Sequence, residues 1–224
     1  MMTAEMFWSR IIPALNEGLI LSLWLIIPSG ILGFLGGVAI GAVRVFAPIP
    51  LRRLADGYVA IFRGVPLLLQ LFFLYYALPQ WIGIRFTPYQ AAVLGFTLCS
   101  SAYQSEYIRG ALLSIRRGQI QAAYSLGFST TDMVLSVAVP QALRRALPGC
   151  GNEIIYLIKY SSLAYLLTFI ELTGTAKELT ARTWHYTEIY FAAGMYYLMM
   201  TTLASMLLRW IERRTHIPGF GEAR

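Results

Sequence analysis

Charged and aromatic side chains interrupt an apolar stretch of the sequence between residues 147 and 172. The polar and aromatic members of this stretch are Asn152, Glu153, Tyr156, Lys159, Tyr160, Ser161 and Ser162. Charges at bilayer depth are costly unless paired or hydrated, so they face a bundle interior or a water-filled path. A helix places Glu153, Tyr156, Leu157 and Tyr160 on one face, beside Ser161. These five residues are candidates for lining a path, where the carboxylate would attract a cation and the Tyr160 ring would pack on it.

A purely structural interpretation of the two charges stays open. Glu153 could pair with Arg109 or Arg145 near one end of the stretch and tie helices together. Lys159 could have a similar tethering role. In neither case would the charge contact a transported molecule.

Two further apolar stretches carry polar groups of the same kind. Gln70 follows Arg63 by seven residues on one helix face, and Tyr103 lies in the next stretch. Both are candidate path-lining groups, with interhelical hydrogen bonds as the alternative. Glu106 and Arg109 are three apart, a spacing that predicts a local pair.

The longest polar segment, about residues 114–146, predicts a short surface helix. Arg116 and Arg117 precede the run Gln121-Ala122-Ala123, whose residue types favour helix, and Gly127 suits a left-handed end cap. A Ser or Thr at 129–131 can then cap the following helix, with Asp132 near its positive end. Small side chains at Ala122, Ala123 and Gly127 would let this helix press into a cleft on another protein. Packing on its own bundle is the alternative.

Motifs for catalysis and nucleotide binding are absent from the sequence. No glycine-rich loop ends in Gly-Lys-Ser or Gly-Lys-Thr, so ATP hydrolysis is not expected in this chain. His185 and His216 are the only histidines and have no ligand-spaced Cys or carboxylate around them, so we expect no metal site. Nucleophile elbows and zinc-binding helices are also missing. The sequence therefore does not indicate an enzyme.

The composition predicts that these residues are positioned by membrane helices. Of 224 residues, 57% are hydrophobic and 13% charged, too few charges to cover a water-soluble domain of this size. A spanning helix needs about 20 apolar residues. We predict an all-α membrane protein, a single domain over 1–224, with five spans at about 18–43, 58–81, 88–113, 147–172 and 189–210.

Basic residues predict the orientation of these spans. Thirteen of the 18 lysines and arginines fall on one face, including Arg224, four fall on the other, and Lys159 remains inside a span. The basic face is expected to be cytoplasmic, which puts the N-terminus outside and the C-terminus inside. Because the basic residues are scattered between apolar stretches, they do not indicate nucleic acid binding.

Glycines recur at intervals of four in the first predicted span. Gly33, Gly37 and Gly41 then lie on one helix face and permit close approach of another helix. We interpret the pattern as a packing surface.

The segment from Gln121 to Pro140 resembles the cytoplasmic coupling motif of ABC importer permeases. That motif reads Glu-Ala-Ala, three residues, Gly, nine residues, Ile-x-Leu-Pro, and here Gly127 and Pro140 keep its spacing. The resemblance runs over nearly the whole chain and is closest to the polar amino acid subfamily. Its other hallmarks are Arg63-Gly64-Val65-Pro66, Ala102-Tyr103 with Glu106, Arg109-Gly110, Pro140-Gln141-Ala142, Lys159 with Ser161-Ser162, Glu171-Leu172-Thr173 and Arg213-Arg214.

The resemblance implies a type I importer permease with a five-helix core in the bacterial inner membrane. Its implied partners are a second permease copy or a sister permease, two cytoplasmic ATPases that use ATP and Mg, and a periplasmic or lipid-anchored binding protein. The permease itself would bind no cofactor. Residues Gln121, Ala122, Ala123 and Gly127, after Arg116 and Arg117, would couple it to the ATPase.

The same resemblance suggests a substrate class. Asn152-Glu153 is similar to the group that imports histidine, lysine, arginine, ornithine or opines, which implies a cationic amino acid. Gln121 replaces the glutamate of the motif, and Tyr160 stands where relatives commonly have an acidic residue. The rival functions are a stand-alone ion-coupled carrier, with Glu153 and Lys159 as the relay, and a non-transporting sensor or assembly subunit.

Overall fold

The structure, a computed structural model, describes residues 4–215, so His216 and Arg224 lie outside it. The first helix, α1, runs from Phe7 to Phe46 and begins with a π-helical turn. At 1.5 Å per residue its 40 residues extend about 60 Å, twice a bilayer core. The span predicted at 18–43 is therefore only part of a much longer helix.

The second predicted span, 58–81, is wrong as a single helix. The structure has α2 at Ile49–Gly64 and α3 at Leu67–Ile82, with a bend of 105° between them. Val65 has an extended backbone, ψ 135°, immediately before Pro66. A proline disfavours helical geometry in the residue before it and lacks an amide donor, which explains the break.

The third predicted span coincides with helix α4, Pro88–Leu113. Thr87 caps its first turn: the Thr87 hydroxyl accepts from the Gln90 amide at 3.2 Å, and the Thr87 amide donates to the Gln90 side chain at 3.0 Å. Proline at the first helical position needs no partner for an amide hydrogen. These local contacts fix the start of the helix at the residue where the predicted apolar span begins.

Two helices follow, and the second extends into the fourth predicted span. The surface helix α5 covers Arg117–Ser125, and α6 covers Thr130–Leu167, ending in a tight 3-10 segment at Ser161–Leu167. Helix α7, Leu172–Thr183, is bent by 52° from α6. The prediction of one span over 147–172 is thus corrected: the helix starts at Thr130, where the sequence predicted a capped helix start, and it ends before residue 172.

The break between α6 and α7 is held by a buried carboxylate. Thr168 has a left-handed backbone with φ 64°, which ends α6. Glu171 is fully buried and caps α7, accepting from the amides of Thr173 and Gly174 at 3.0 Å each. The Tyr197 hydroxyl donates to the same carboxylate at 2.8 Å. This carboxylate therefore joins α7 to the last helix, α8, Tyr186–Thr215.

The glycine face of α1 packs against α4, as the sequence predicted. A Cβ on Gly37 would lie 2.6 Å from the Cβ of Gln104, and one on Gly41 would lie 2.8 Å from Ile108. Such distances leave no room for a side chain. These contacts, from Gly33 to Gly41, pack the C-terminal half of α1 closely against α4.

By length and hydropathy, α1 and α8 can each cross a membrane, and the bent pairs α2–α3 and α6–α7 raise the number to four within the described residues. Helix α4 is long enough, but its polar side chains lower its hydropathy. Those side chains are Ser100, Ser101, Gln104, Ser105, Glu106 and Arg109. The described part of the protein is thus an all-helical membrane fold.

Candidate functional site

One face of α6 exposes polar and aromatic side chains. Tyr156 is 44% exposed and Tyr160 39% exposed, and their rings stack with centroids 6.1 Å apart. The Lys159 ammonium lies 4.3 Å from the Tyr156 ring centroid, and Asn152 is exposed beside them. Such groups are unfavourable in hydrocarbon, so this face requires water or another protein surface.

Glu153 lies at the edge of this face and is 4% exposed. Among the described residues it forms neither an ion pair nor a hydrogen bond. Arg109 pairs with Glu106 at 3.2 Å, and Arg145 donates to the carbonyl and hydroxyl of Ser114 at 2.6 and 2.7 Å. The structure therefore does not show the helix-tying pair considered from the sequence.

The remaining path candidates differ in their surroundings. Tyr103 is half-buried, with the Arg63 guanidinium 5.2 Å from its ring centroid. Leu157 is buried in the hydrophobic core, and the buried Ser161 hydroxyl donates to the Ile158 carbonyl at 2.7 Å. Leu157 and Ser161 thus lie in the bundle and not on the exposed face.

Gln70 is 6% exposed and joins the two halves of the broken second span. Its side-chain amide donates to the carbonyls of Phe62 at 2.9 Å and Val65 at 2.8 Å. Phe62 lies in the last turn of α2 and Val65 directly follows that helix, where Pro66 and the bend leave both carbonyls without helical donors. Of the two roles considered from the sequence, this geometry corresponds to the structural one.

Glu106 is at the centre of a charge cluster on α1, α2 and α4. Its carboxylate lies 2.9 Å from Arg63, 3.0 Å from Arg44 and 3.2 Å from Arg109. Arg44 also contacts Asp56 at 2.7 Å. The sequence predicted only the pair with Arg109, because the other two arginines reach Glu106 through the fold of distant segments.

Two side chains of α6 attach the N-terminal end of the surface helix α5 to the bundle. Gln141 on α6 donates to Gln119 at 2.6 Å, and Arg145 holds Ser114 just after α4. Gly127 has φ 81°, and the amide of Phe128 donates back to the Ala123 carbonyl at 3.1 Å. These features give the predicted left-handed helix end.

The next helix begins as the sequence suggested. The Ser129 hydroxyl accepts from the amide of Asp132 at 3.2 Å and donates to its carboxylate at 2.6 Å. This N-cap directs the chain from the surface segment into α6.

The outer surface of this segment differs from the expected one. Ala123 is 4% exposed and packs into the core cluster with Ile108 and Met133, so it does not lie on the outer face. Gln121, Ala122, Gly127 and the neighbouring Arg116 and Arg117 are exposed. So are three large side chains that the sequence reasoning missed: Tyr124 at 46%, Leu126 at 78% and Phe128 at 37%. Two features of the sequence pointed to these side chains: polar residues flank them, and they lie next to the glycine that ends the helix.

Comparisons with known proteins identify one family. Residues 33–217 match the family model described as binding-protein-dependent transport system inner membrane component. The glutamine transport system permease protein GlnP of Escherichia coli (strain K12) is 37% identical over 218 residues, covering 94% of this chain and 98% of the relative. The arginine transport system permease protein ArtQ of Bacillus subtilis (strain 168) is 32% identical, covering 91% and 93%.

Solved structures share the fold. A crystal structure of an amino acid ABC transporter with histidines superposes with a TM-score of 0.84 at 33% identity, covering 96% of this chain and all of the other. An inward-facing structure of the MetNI methionine ABC transporter has a TM-score of 0.80 at 22% identity, a likeness of fold alone. The chain therefore belongs to the family of binding-protein-dependent transport system inner membrane components, the permease subunits of ABC importers.

Proposed function

We propose that this permease moves a polar amino acid across the bacterial inner membrane, and that its surface segment around α5 transmits the closure of partner ATPases. The family is a non-enzymatic membrane subunit, with the ATPase in a separate subunit. The observation that carries the proposal is the exposed apolar surface of Tyr124, Leu126 and Phe128, which lies at the C-terminal end of α5, outside the bundle. We name these three residues, with Ala122, the docking surface.

The proposed assembly has two permeases, two ATPases that use ATP and Mg, and a periplasmic or lipid-anchored binding protein. In this proposal the chain spans the membrane five times, counting α1, the pair α2–α3, α4, the pair α6–α7 and α8. The excess of basic residues near the C-terminal ends of α1, α4 and α8 and at the start of α5 favours a cytoplasmic C-terminus and an outside N-terminus. The whole chain, 1–224, then acts as one permease domain.

In the proposed path the exposed face of α6 meets the second permease across a hydrated passage. Asn152, Tyr156 and Tyr160 line it, with Tyr103 and Glu153 at its edge, whereas Gln70, Leu157 and Ser161 support the bundle. Glu153 lacks a cationic partner among the described residues, which favours a cationic substrate. Relatives are named for arginine, nopaline and octopine as well as glutamine, so the charge of the substrate belongs to this proposal.

Uptake into proteoliposomes tests the transport proposal. The permease is reconstituted with its ATPase and binding protein, and labelled arginine, histidine and glutamine are supplied with ATP inside or with an ion gradient alone. We expect uptake that needs ATP, the ATPase and the binding protein together. Uptake driven by the ion gradient without the ATPase would establish the stand-alone carrier instead, and the absence of flux in every condition would indicate a sensor or assembly subunit.

The substitution Glu153→Gln tests the substrate charge. It preserves size and removes one negative charge, so we expect arginine uptake to fall by about 10-fold or more, as for the loss of about 1.4 kcal/mol of interaction. Glutamine uptake should change less than twofold. Exposed Glu178 provides the control Glu178→Gln, which should leave both substrates unchanged. An equal effect of Glu153→Gln on arginine and glutamine would remove the specificity role.

A further inference from the structure

An apolar groove opens on the outside of the bundle between α1, α6 and α8. Its volume is about 470 Å³, within the range of small-molecule sites, and its walls are almost entirely hydrocarbon. The walls include Gly30 and Ile31 from α1, Leu147 and Gly151 from α6, and Leu207 and Ile211 from α8. Two of these six residues are glycines, which let the three helices that form the groove pack closely: Gly30 lies against Ile154 and Gly151 against Leu208.

The groove and the exposed polar face lie on opposite sides of α6. Leu147, Gly151 and Ile154 line the groove, whereas Asn152 and Tyr156 belong to the polar face. At about 100° per residue, the centres of these two sets are roughly half a turn apart. Because the polar face is the one proposed to meet the second permease, the groove faces the surrounding bilayer.

Beyond one end of the groove, α6 and α8 each carry a basic residue. Arg144 precedes Leu147 by three residues, and Arg214 follows Ile211 by three, so each lies on the groove side of its helix. Gly151 packs directly against Leu208, and this antiparallel contact brings the two arginines to the same end of the groove.

The charge at this end is positive. Both arginines are exposed, and the guanidinium of Arg214 lies 5.0 Å from the Trp210 ring centroid, at the kind of position aromatic residues take near headgroups. The half-buried Glu212 is the acidic residue nearby on α8, and Arg213 adds a further positive charge on the opposite side of that helix. Basic residues next to an apolar surface attract anionic lipid headgroups.

We propose that the groove binds an anionic glycerophospholipid, with one acyl chain between α1, α6 and α8 and the phosphate next to Arg144 and Arg214. The apolar walls match an acyl chain, and the paired arginines match the charge of its headgroup. The bound chain would contact the back of the helix whose front carries the proposed path. The site itself does not depend on which amino acid is transported.

Native mass spectrometry of the purified importer complex tests this site. The delipidated complex is incubated with dioleoyl phosphatidylglycerol or with dioleoyl phosphatidylcholine, and bound lipid per permease is measured. We expect phosphatidylglycerol to be retained in preference to phosphatidylcholine. Arg144→Gln and Arg214→Gln should each weaken phosphatidylglycerol binding about fivefold, the effect of one basic residue near a lipid surface.

Matched variants separate the groove from the general surface. Arg213→Gln removes the same charge from the other side of α8 and should leave binding unchanged. Ala204→Phe fills the groove and should abolish retention of the lipid, whereas Thr202→Phe places the same ring on an exposed face away from it. The arginine variants keep the test decisive if Ala204→Phe fails to fold.

Three results would overturn the proposal. The first is equal retention of the two lipids, and the second is an equal loss of phosphatidylglycerol binding in Arg213→Gln and Arg214→Gln. The third is the formation of disulfide-linked permease dimers by Leu207→Cys, which would make the groove an interface between copies. Lipid retention is measured without transport. A failure here therefore leaves the importer proposal standing, and a failure of ATP-driven uptake leaves the lipid measurement intact.

Discussion

Replacing Gln70 by leucine should loosen the joint between α2 and α3. The Gln70 amide donates to two carbonyls at the end of α2, those of Phe62 and Val65, at 2.9 and 2.8 Å, and the Phe62 carbonyl has one longer contact with the Cys99 thiol at 3.9 Å. Leucine has nearly the same size but donates no hydrogen bond. The substitution therefore tests the hydrogen bonds with little change in packing.

The expected loss in free energy of unfolding is the difference between two opposing contributions. Leaving two carbonyls without their donor costs about 1–3 kcal/mol each in a buried site. The variant also removes the Gln70 Oε1 atom, which is buried without a partner, and this offsets about one such term. The net loss in free energy of unfolding is about 1–3 kcal/mol, or about 2–12 °C in melting temperature for a chain of this size.

Thermal unfolding of the purified permease in detergent measures this loss. Gln119→Leu is the matched control, because Gln119 loses a hydrogen bond to Gln141 at the protein surface and should shift the melting temperature by less than about 2 °C. If Gln70→Leu were as stable as the original chain, while Gln119→Leu behaved as expected, the amide would not stabilise the bend. Pro66 alone would then account for it.

Two further substitutions test other contacts of the bundle. Gly37→Ala places a Cβ 2.6 Å from Gln104 and should destabilise the chain by about 1–3 kcal/mol in thermal unfolding, whereas Gly194→Ala, where a Cβ meets nothing within 4 Å, should be neutral or stabilising by up to about 1 kcal/mol. Glu171→Ala leaves several buried donors without an acceptor and should cost more than about 3 kcal/mol, against less than about 0.5 kcal/mol for exposed Glu178→Ala. Equal melting temperatures within either pair would contradict the corresponding contact.

Local signals explain which parts of the fold could be predicted. The apolar stretch predicted α4 with the bounds that the structure has, and Thr87, Pro88 and Gln90 form a complete helix start at one of them. Gly127 and Ser129 likewise defined the end of α5 and the start of α6. In each case the stabilising groups lie within a few residues of one another.

The breaks in the second and fourth spans were not predicted, because each lies inside a long apolar stretch that reads as one span by hydropathy. Val65-Pro66 was a signal for the first break, but the prediction used hydropathy alone and treated the two helices as one. Thr168 gives no such signal, since its left-handed backbone is supported by tertiary contacts. The Glu171 carboxylate accepts from Tyr197, and the amide of Leu172 donates to Ser22, which is 150 residues distant.

The surface helix α5 was predicted in place, but the composition of its exposed side was not. The motif spacing located the segment, and helix propensity gave its secondary structure. However, α5 is too short for periodicity to show which side faces the bundle, so Ala123 was assigned to the outer face and the exposed Leu126 was overlooked. The side facing the bundle is fixed by contacts with α4 and α6.

Site-specific photo-crosslinking from position 126 tests the central claim most directly. A benzoyl-phenylalanine is introduced at Leu126 in the assembled importer, and the same group at Leu203, 57% exposed on α8, is the control. The account predicts an adduct between position 126 and the ATPase subunit, and none from position 203. A transporting complex in which position 126 forms adducts only within its own chain, or none at all, would contradict it.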